Sequence, residues 1–214
     1  MLSASFLVTS ALVANPTQLA INGGLRVAPM RAPASRMLFG QRNAAAATTP
    51  TMGAPVTERE VRAAQANWAS AIKRISASYL KGGDFVKLAG EAAGELYGYG
   101  HHNVLFKPTK AAEHQFRPTA EDALSYFVGG AAGPFAHDED GGFAINGGKG
   151  FEKVVYRNHQ IALKGNVALA MGEYDFTCAT TGDESKVEYT FGYQRCQDDK
   201  VRIFLHHSSV PYKP

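Results

Sequence analysis

The sequence predicts an α+β domain in which N-terminal helices pack on a curved antiparallel sheet. Three observations predict it. Apolar residues recur at three- and four-residue spacing over residues 57–80, the signature of a helix with one buried face. From Phe151 onward the period changes to two and stays there through four successive segments. Those segments are joined by Lys164-Gly165-Asn166, by "TTGDES" and by "QDD", connections too short for crossovers and therefore implying a meander.

Taken in chain order, the first stretch is set apart by its charge. Residues 1–57 hold no Asp, Glu or Lys and carry Arg26, Arg31, Arg36 and Arg42, so the net charge of +3 becomes 3 − 4 = −1 for the remainder. The basic character belongs to this leader, and the absence of a Lys/Arg stripe in the body argues against a nucleic-acid surface. "SFLVTSALVA" is an apolar run of signal-peptide type, shorter than the ~20 residues of a membrane span. The Arg-, Ala- and Pro-rich segment after it has transit-peptide composition. Residues 1–56 are thus expected to be a targeting leader addressing a plastid (chloroplast) through the secretory route, and residues 57–214 a single domain with no membrane span.

In the body, Thr57 and Glu60 form a capping-box pattern, and Val61, Ala64, Trp68, Ile72, Ile75 and Tyr79 supply the apolar face of the first helix. "KGGD" ends it, and Asp84 can cap a second helix whose glycines are expected where helix approaches sheet closely. "NVLFKPT" reads as a short strand ending at Pro108, and "EHQFRP" as another strand or an extended return. Thr119 caps a third helix, "TAEDALSYFVGG", stopped by Gly129-Gly130. The segment around Asp138, Glu139 and Asp140 is a Gly-rich loop without EF-hand spacing, expected to be solvated.

Of the last four segments, "KVEYTFGYQRC" puts Val187, Tyr189, Phe191 and Tyr193 on one face. An aromatic outer face on such a sheet would expose an apolar patch, so a homodimer is expected. Cys178 and Cys196 match no metal motif, and the turn near Gly182 sets Cys178 opposite Tyr189 rather than Cys196, so free thiols are expected.

The terminal strand, "VRIFLHHSS", carries the densest chemistry. Strict alternation groups Val201, Ile203, Leu205, His207 and Ser209 on one face. Three leading aliphatic residues make that the core face, so His207 and Ser209 are expected at the polar end of an apolar cleft. His206 and Ser208 are then expected to face outward. Adjacent strand residues point to opposite sides, so the "HH" pair cannot share one ion at ~2.1 Å.

"NVLFKPT", "QFRPTAEDALSYFVGG", "GGFAI", "ALAMGEYDFT", "VEYTFGYQR" and "RIFLHHSSVPY" together resemble the iota-class carbonic anhydrases of microalgae and bacteria over residues 57–212. The resemblance implies a cystatin-like or nuclear transport factor 2-like cone, similar to the calcium/calmodulin-dependent kinase association domain. It implies reversible hydration of carbon dioxide to bicarbonate, and a reaction that needs no metal cofactor. The alternatives are the same enzyme using Zn or Mn, and a noncatalytic oligomerisation module of the same fold. Carried over singly, Thr109, Tyr126, His206, His207, Ser208 and Ser209 match the family's motifs. Combined with the alternation, Thr109, Tyr126, His207 and Ser209 are the expected catalytic set. Thr109, Tyr126 and Ser209 are expected to hold substrate, with His206 and Ser208 as secondary candidates.

Overall fold

The computed structural model describes residues 53–214, so residues 1–52 of the expected leader lie outside the described residues, while Val56 at its end is buried and donates its N–H to Gly165 C=O at 2.8 Å. Helix α1 spans Glu58–Leu80 and α2 spans Phe85–Leu96; strand β1 is Leu105–Lys107 and helix α3 is Ala120–Val128. Short 3-10 turns follow at Gly129–Phe135 and Phe143–Gly148. Strands β2 (Phe151–Lys164), β3 (Val167–Cys178), β4 (Glu184–Arg195) and β5 (Val201–Ser209) complete the chain. The α+β plan is as expected, and no described helix is long and apolar enough to cross a membrane.

The capping box at Thr57 is present in both directions: Glu60 donates its backbone N–H to Thr57 Oγ1, and Thr57 donates its own to the Glu60 carboxylate. A second box ties Thr119 to Asp122. Helix α1 lays its apolar face on the sheet. Trp68 sits at the centre of that contact, stacked on Tyr174 at 5.7 Å and edge-on to Tyr156, Phe176 and Phe191. In α2 the close approach is made by the buried Ala89 and Ala93, not by its glycines: Gly90 and Gly94 face solvent.

The sheet order is β1-β5-β4-β3-β2. Strands β2 to β5 form the expected antiparallel meander, and β1 joins the outside of β5 in parallel, pairing Phe106 with His206. "EHQFRP" forms no strand; Arg117 N–H instead makes one backbone bond to Phe106 C=O. The two cysteines are free. The β3–β4 hairpin is tighter than expected: Thr177 stands opposite Glu184, and Tyr189 faces Gly172 rather than Cys178.

Val187, Tyr189, Phe191 and Tyr193 do share a face, but it is the inner one, and all four are buried. The expectation of an aromatic outer face is therefore overturned. The outer face is mixed, with exposed Leu169 and Met171 among charged side chains such as Arg157 and Glu188.

The terminal strand departs from strict alternation, and this matters most for function. The β4–β5 register runs Tyr193 to Ile203 and then Gly192 to Leu205, so Phe204 is an extra residue in the ladder. Such a bulge reverses the phase of everything beyond it. His206 and Ser208 consequently point into the core, each 3% exposed, while His207 and Ser209 face outward and are exposed. The expectation that His207 and Ser209 line the cleft is thus reversed. Gly192 makes the bulge possible, because a Cβ there would lie 2.6 Å from the Phe204 ring.

Candidate active site

The site residues come from α1, the end of α2, α3, β3, β5 and the turn after β1. Parallel pairing of β1 with β5 stacks Phe106 flat on the His206 ring, with centroids 4.6 Å apart and planes within 11°. From the other side Phe191 on β4 stacks at 4.1 Å. The imidazole is sandwiched between two hydrocarbon faces. Burial, aided by the neighbouring His207, pushes its pKa down to about 3. At neutral pH His206 is an uncharged ring.

Its two nitrogens are both engaged in a chain of buried polar groups. Trp68 Nε1 lies 3.0 Å from Tyr97 Oη, which lies 2.8 Å from His206 Nδ1. His206 Nε2 lies 2.9 Å from Ser208 Oγ, which lies 2.5 Å from Tyr174 Oη. The indole N–H can only donate, which fixes the first link, and the Nε2–H tautomer of His206 sets the rest. Tyr97 oxygen accepts that proton, and its own hydroxyl then donates to Nδ1. Nε2 therefore carries the ring proton and donates to Ser208, whose hydroxyl donates to Tyr174. Tyr174 Oη closes the chain on itself, lying 3.5 Å from His206 Nε2 as well as beside Ser208. Burial raises the phenols of Tyr97 and Tyr174 above their usual range, which keeps the chain neutral.

The neighbouring opening, a cavity of about 420 Å³, is lined by Thr109, Tyr126, Phe143, Phe176, Val187 and Val210, among others. Thr109 follows Pro108 on the turn after β1 and is half-buried; Tyr126 is on the inward face of α3. Tyr126 stacks on Phe143 at 5.5 Å and meets the edge of Phe106 at 5.7 Å. Burial raises its phenol too, with the backbone amides of Lys110 and Thr109 acting in the opposite sense. Tyr126 is close enough to Tyr174 for its charge to disfavour ionisation of the Tyr174 phenol, which burial already raises. Among the sequence candidates, Thr109 and Tyr126 thus share one cavity, and His206 and Ser208 form the polar chain beside it. His207 and Ser209 instead line a groove on the opposite, outer face of the sheet, with Arg157, His159, Met171 and Glu188.

The acidic loop is not free in solvent. Asp140 is buried and accepts from Arg117 Nη2 at 2.9 Å and from Ser125 Oγ at 2.5 Å. Glu139 accepts the backbone N–H groups of Ala112, Glu113 and His114 at 2.6, 2.9 and 2.7 Å. The amides of Glu113, His114 and Ala112 hold its carboxyl down to about 2. Together these bonds fasten the segment after Thr109 to the segment before Phe143, which fixes two walls of the cavity. Sequence reasoning missed Tyr97, Trp68, Tyr174, Arg117 and Asp140. No local spacing announces them, since they meet only through the tertiary fold.

A family model described as "Metal-independent carbonic anhydrase" matches residues 59–210. The chain belongs to the metal-independent carbonic anhydrase family. A curated relative of that name from Nostoc sp. (strain PCC 7120) is 39% identical over 168 residues, covering 77% of this chain and 78% of the relative. The crystal structure of an iota-carbonic anhydrase from a cyanobacterium, complexed with bicarbonate, superimposes with a TM-score of 0.69. It is 37% identical over 78% of this chain and 99% of that one. A putative calcium/calmodulin-dependent kinase type II association domain from Thiobacillus denitrificans aligns at 15% identity and a TM-score of 0.46, covering 71% of this chain and 94% of that one. The resemblance drawn from "HHSSVPY" and its companion motifs is therefore correct at the level of family, and the chain is a carbonic anhydrase.

Proposed function

We propose that carbon dioxide and bicarbonate are interconverted in the cavity lined by Thr109 and Tyr126, with the Trp68–Tyr97–His206–Ser208–Tyr174 chain packed behind its Phe176 wall. The observation that carries this reading is the reversed phase of β5, which buries an imidazole and an alcohol beside a cavity with both hydroxyl and aromatic walls. Carbon dioxide is apolar and suits the Phe143, Phe176 and Val187 side of the space. Bicarbonate is a small planar anion and suits the hydroxyls.

In the hydration direction a water oxygen bonds to the carbon, one C=O π bond opens onto oxygen, and the water loses one proton. Negative charge develops on the carboxylate oxygens. Hydroxyl donors already held in place by neutral partners meet that charge without rearranging, which is the most effective form of electrostatic help. Thr109 and Tyr126, which line the cavity, have hydroxyls available for that task. Ser208, His206 and Tyr174 act one step back: their hydrogen-bonded chain fixes the packing behind Phe176. With a pKa near 3, His206 is too weak a base to retain the proton lost by water at neutral pH, so that proton passes to solvent. His207 is exposed on the other face of the sheet and has no part in this step. Stopped-flow hydration with exhaustively metal-stripped protein tests the reading: full activity is expected, and activity that tracks added Zn or Mn would contradict it.

Two further readings complete the proposal. Two copies associate through the outer sheet face, where Leu169 and Met171 are exposed and charges of both signs allow a self-complementary contact. Sedimentation showing only monomer at micromolar concentration would rule this out. Residues 1–56 direct the chain to a plastid, and a fluorescent fusion of those residues that stays in the cytosol would exclude it.

A further inference from the structure

At the far end of β5, two turns distant in sequence converge. His101 and His102 lie on the turn after α2, held by their backbone N–H groups to Gly98 C=O at 2.9 and 3.0 Å, while Gly98 N–H donates to Ile203 C=O at 2.9 Å. Cys196 and Asp198 lie on the turn between β4 and β5, closed by Cys196 N–H to Lys200 C=O at 2.8 Å and Asp199 N–H to Cys196 C=O at 3.0 Å. One ring nitrogen of His101, Cys196 Sγ and one carboxylate oxygen of Asp198 all lie within 4.8 Å of one another. His102 Nε2 approaches the same sulfur at 3.6 Å.

We propose that His101, Cys196 and Asp198 form a binding site for a divalent transition metal of the Zn²⁺ type, apart from the carbonate cavity, with His102 available as fourth donor. The donor set is the first argument. One thiol, imidazole nitrogen and one carboxylate is a borderline-soft combination that suits Zn²⁺ or Co²⁺ and not Mg²⁺ or Ca²⁺, which take oxygen ligands. Distance is the second. Zn–S near 2.3 Å and Zn–N near 2.05 Å at a tetrahedral angle separate the two donor atoms by about 3.6 Å. The His102–Cys196 separation already has that value, and the donor atoms of His101, Cys196 and Asp198 lie within 4.8 Å of one another.

Preorganisation is the third argument. Asp198 is gripped on both oxygens by Arg202, at 2.8 Å each, and Oδ1 also accepts the Lys200 N–H at 3.3 Å, which orients the carboxylate as outer partners orient metal ligands and leaves a lone pair on Oδ2. The His102 ring lies flat over Gly98, where a Cβ would fall 1.7 Å from Cε1, so only glycine lets the ring settle there. None of these residues lines the carbonate cavity. A metal here would clasp the turn that begins one residue after Tyr97 to the turn that begins β5.

The test is a Co²⁺ titration of the metal-stripped full chain followed by absorbance, then displacement by Zn²⁺ and thermal melts with and without Zn²⁺. The expected result is a thiolate-to-cobalt charge-transfer band saturating at one equivalent, its loss on adding Zn²⁺, and a higher melting midpoint with Zn²⁺. Cys196→Ser and the exposed-site variant His101→Ala should lose the band and the Zn²⁺-dependent rise, and Cys178→Ser should keep both. No band in the wild-type chain, or a band that survives Cys196→Ser, would overturn the proposal. Either failure leaves the carbonic anhydrase reading untouched, because that reading rests on a different cavity.

Discussion

Acidification perturbs this fold through one ring. His206 has a reference pKa of ~6.5 when unfolded and about 3 in the folded chain, because burial between Phe106 and Phe191 disfavours its charged form. A folded pKa lower than the unfolded one means that the unfolded chain takes up a proton which the native chain refuses. The stability tied to His206 is therefore complete above pH 6.5 and declines as pH falls towards 3. Each unit is worth up to ~1.36 kcal/mol, so roughly 2 kcal/mol should be lost between pH 6.5 and pH 5, before the carboxylates begin to protonate. Urea unfolding at pH 7, 6 and 5 measures the loss. In His206→Gln, stability at pH 7 should be lower and its dependence on pH over this range much flatter. Equal slopes in the two proteins, or a His206 ring that titrates near 6.5 by NMR, would refute the neutral-ring argument and the chain built on it.

Three other consequences concern particular contacts. Asp140→Ala strips the fully buried Arg117 guanidinium of its closest carboxylate and should cost about 3–5 kcal/mol in chemical denaturation, with Glu139 too partial a substitute to rescue it. Tyr97→Phe removes the hydroxyl between Trp68 and His206. Two buried groups then lose a partner, so a loss of roughly 1–3 kcal/mol in denaturation should accompany a fall in hydration rate with little change in KM. Gly172→Ala would put a Cβ 2.1 Å from Arg157 C=O beside the β2 irregularity, and an overpacking penalty of about 1–3 kcal/mol should lower the melting midpoint.

Much of the architecture could be read from local chemistry. The Thr57–Glu60 box, the apolar stripe through Trp68 and Ile72, and the polar turns between β2 and β5 are short-range signals, and short-range signals survive folding unchanged. The face of the terminal strand was the costly error, and its cause is specific. Alternation counts residues, and a bulge adds one without changing the count. Gly192, an isolated glycine inside an otherwise aromatic strand, is the one residue that signals it, since such a glycine marks a bulge or a close approach. Thr109 and Tyr126 were recognisable because family motifs carry them. Tyr97, Tyr174 and Trp68 were not, because each reads as an ordinary core aromatic until three elements bring their polar atoms into line. Asp140 reads as a solvated acid for the same reason: its partner Arg117 lies 23 positions away.

Stopped-flow carbon dioxide hydration by four single variants tests the central claim most directly. His206→Gln and Ser208→Ala should each lower kcat by roughly 10²-fold or more, the scale of losing a preorganised donor array, whereas His207→Gln and Ser209→Ala should stay within a few-fold of the wild-type chain. Loss of activity in the outward pair, with the inward pair unaffected, would contradict the account.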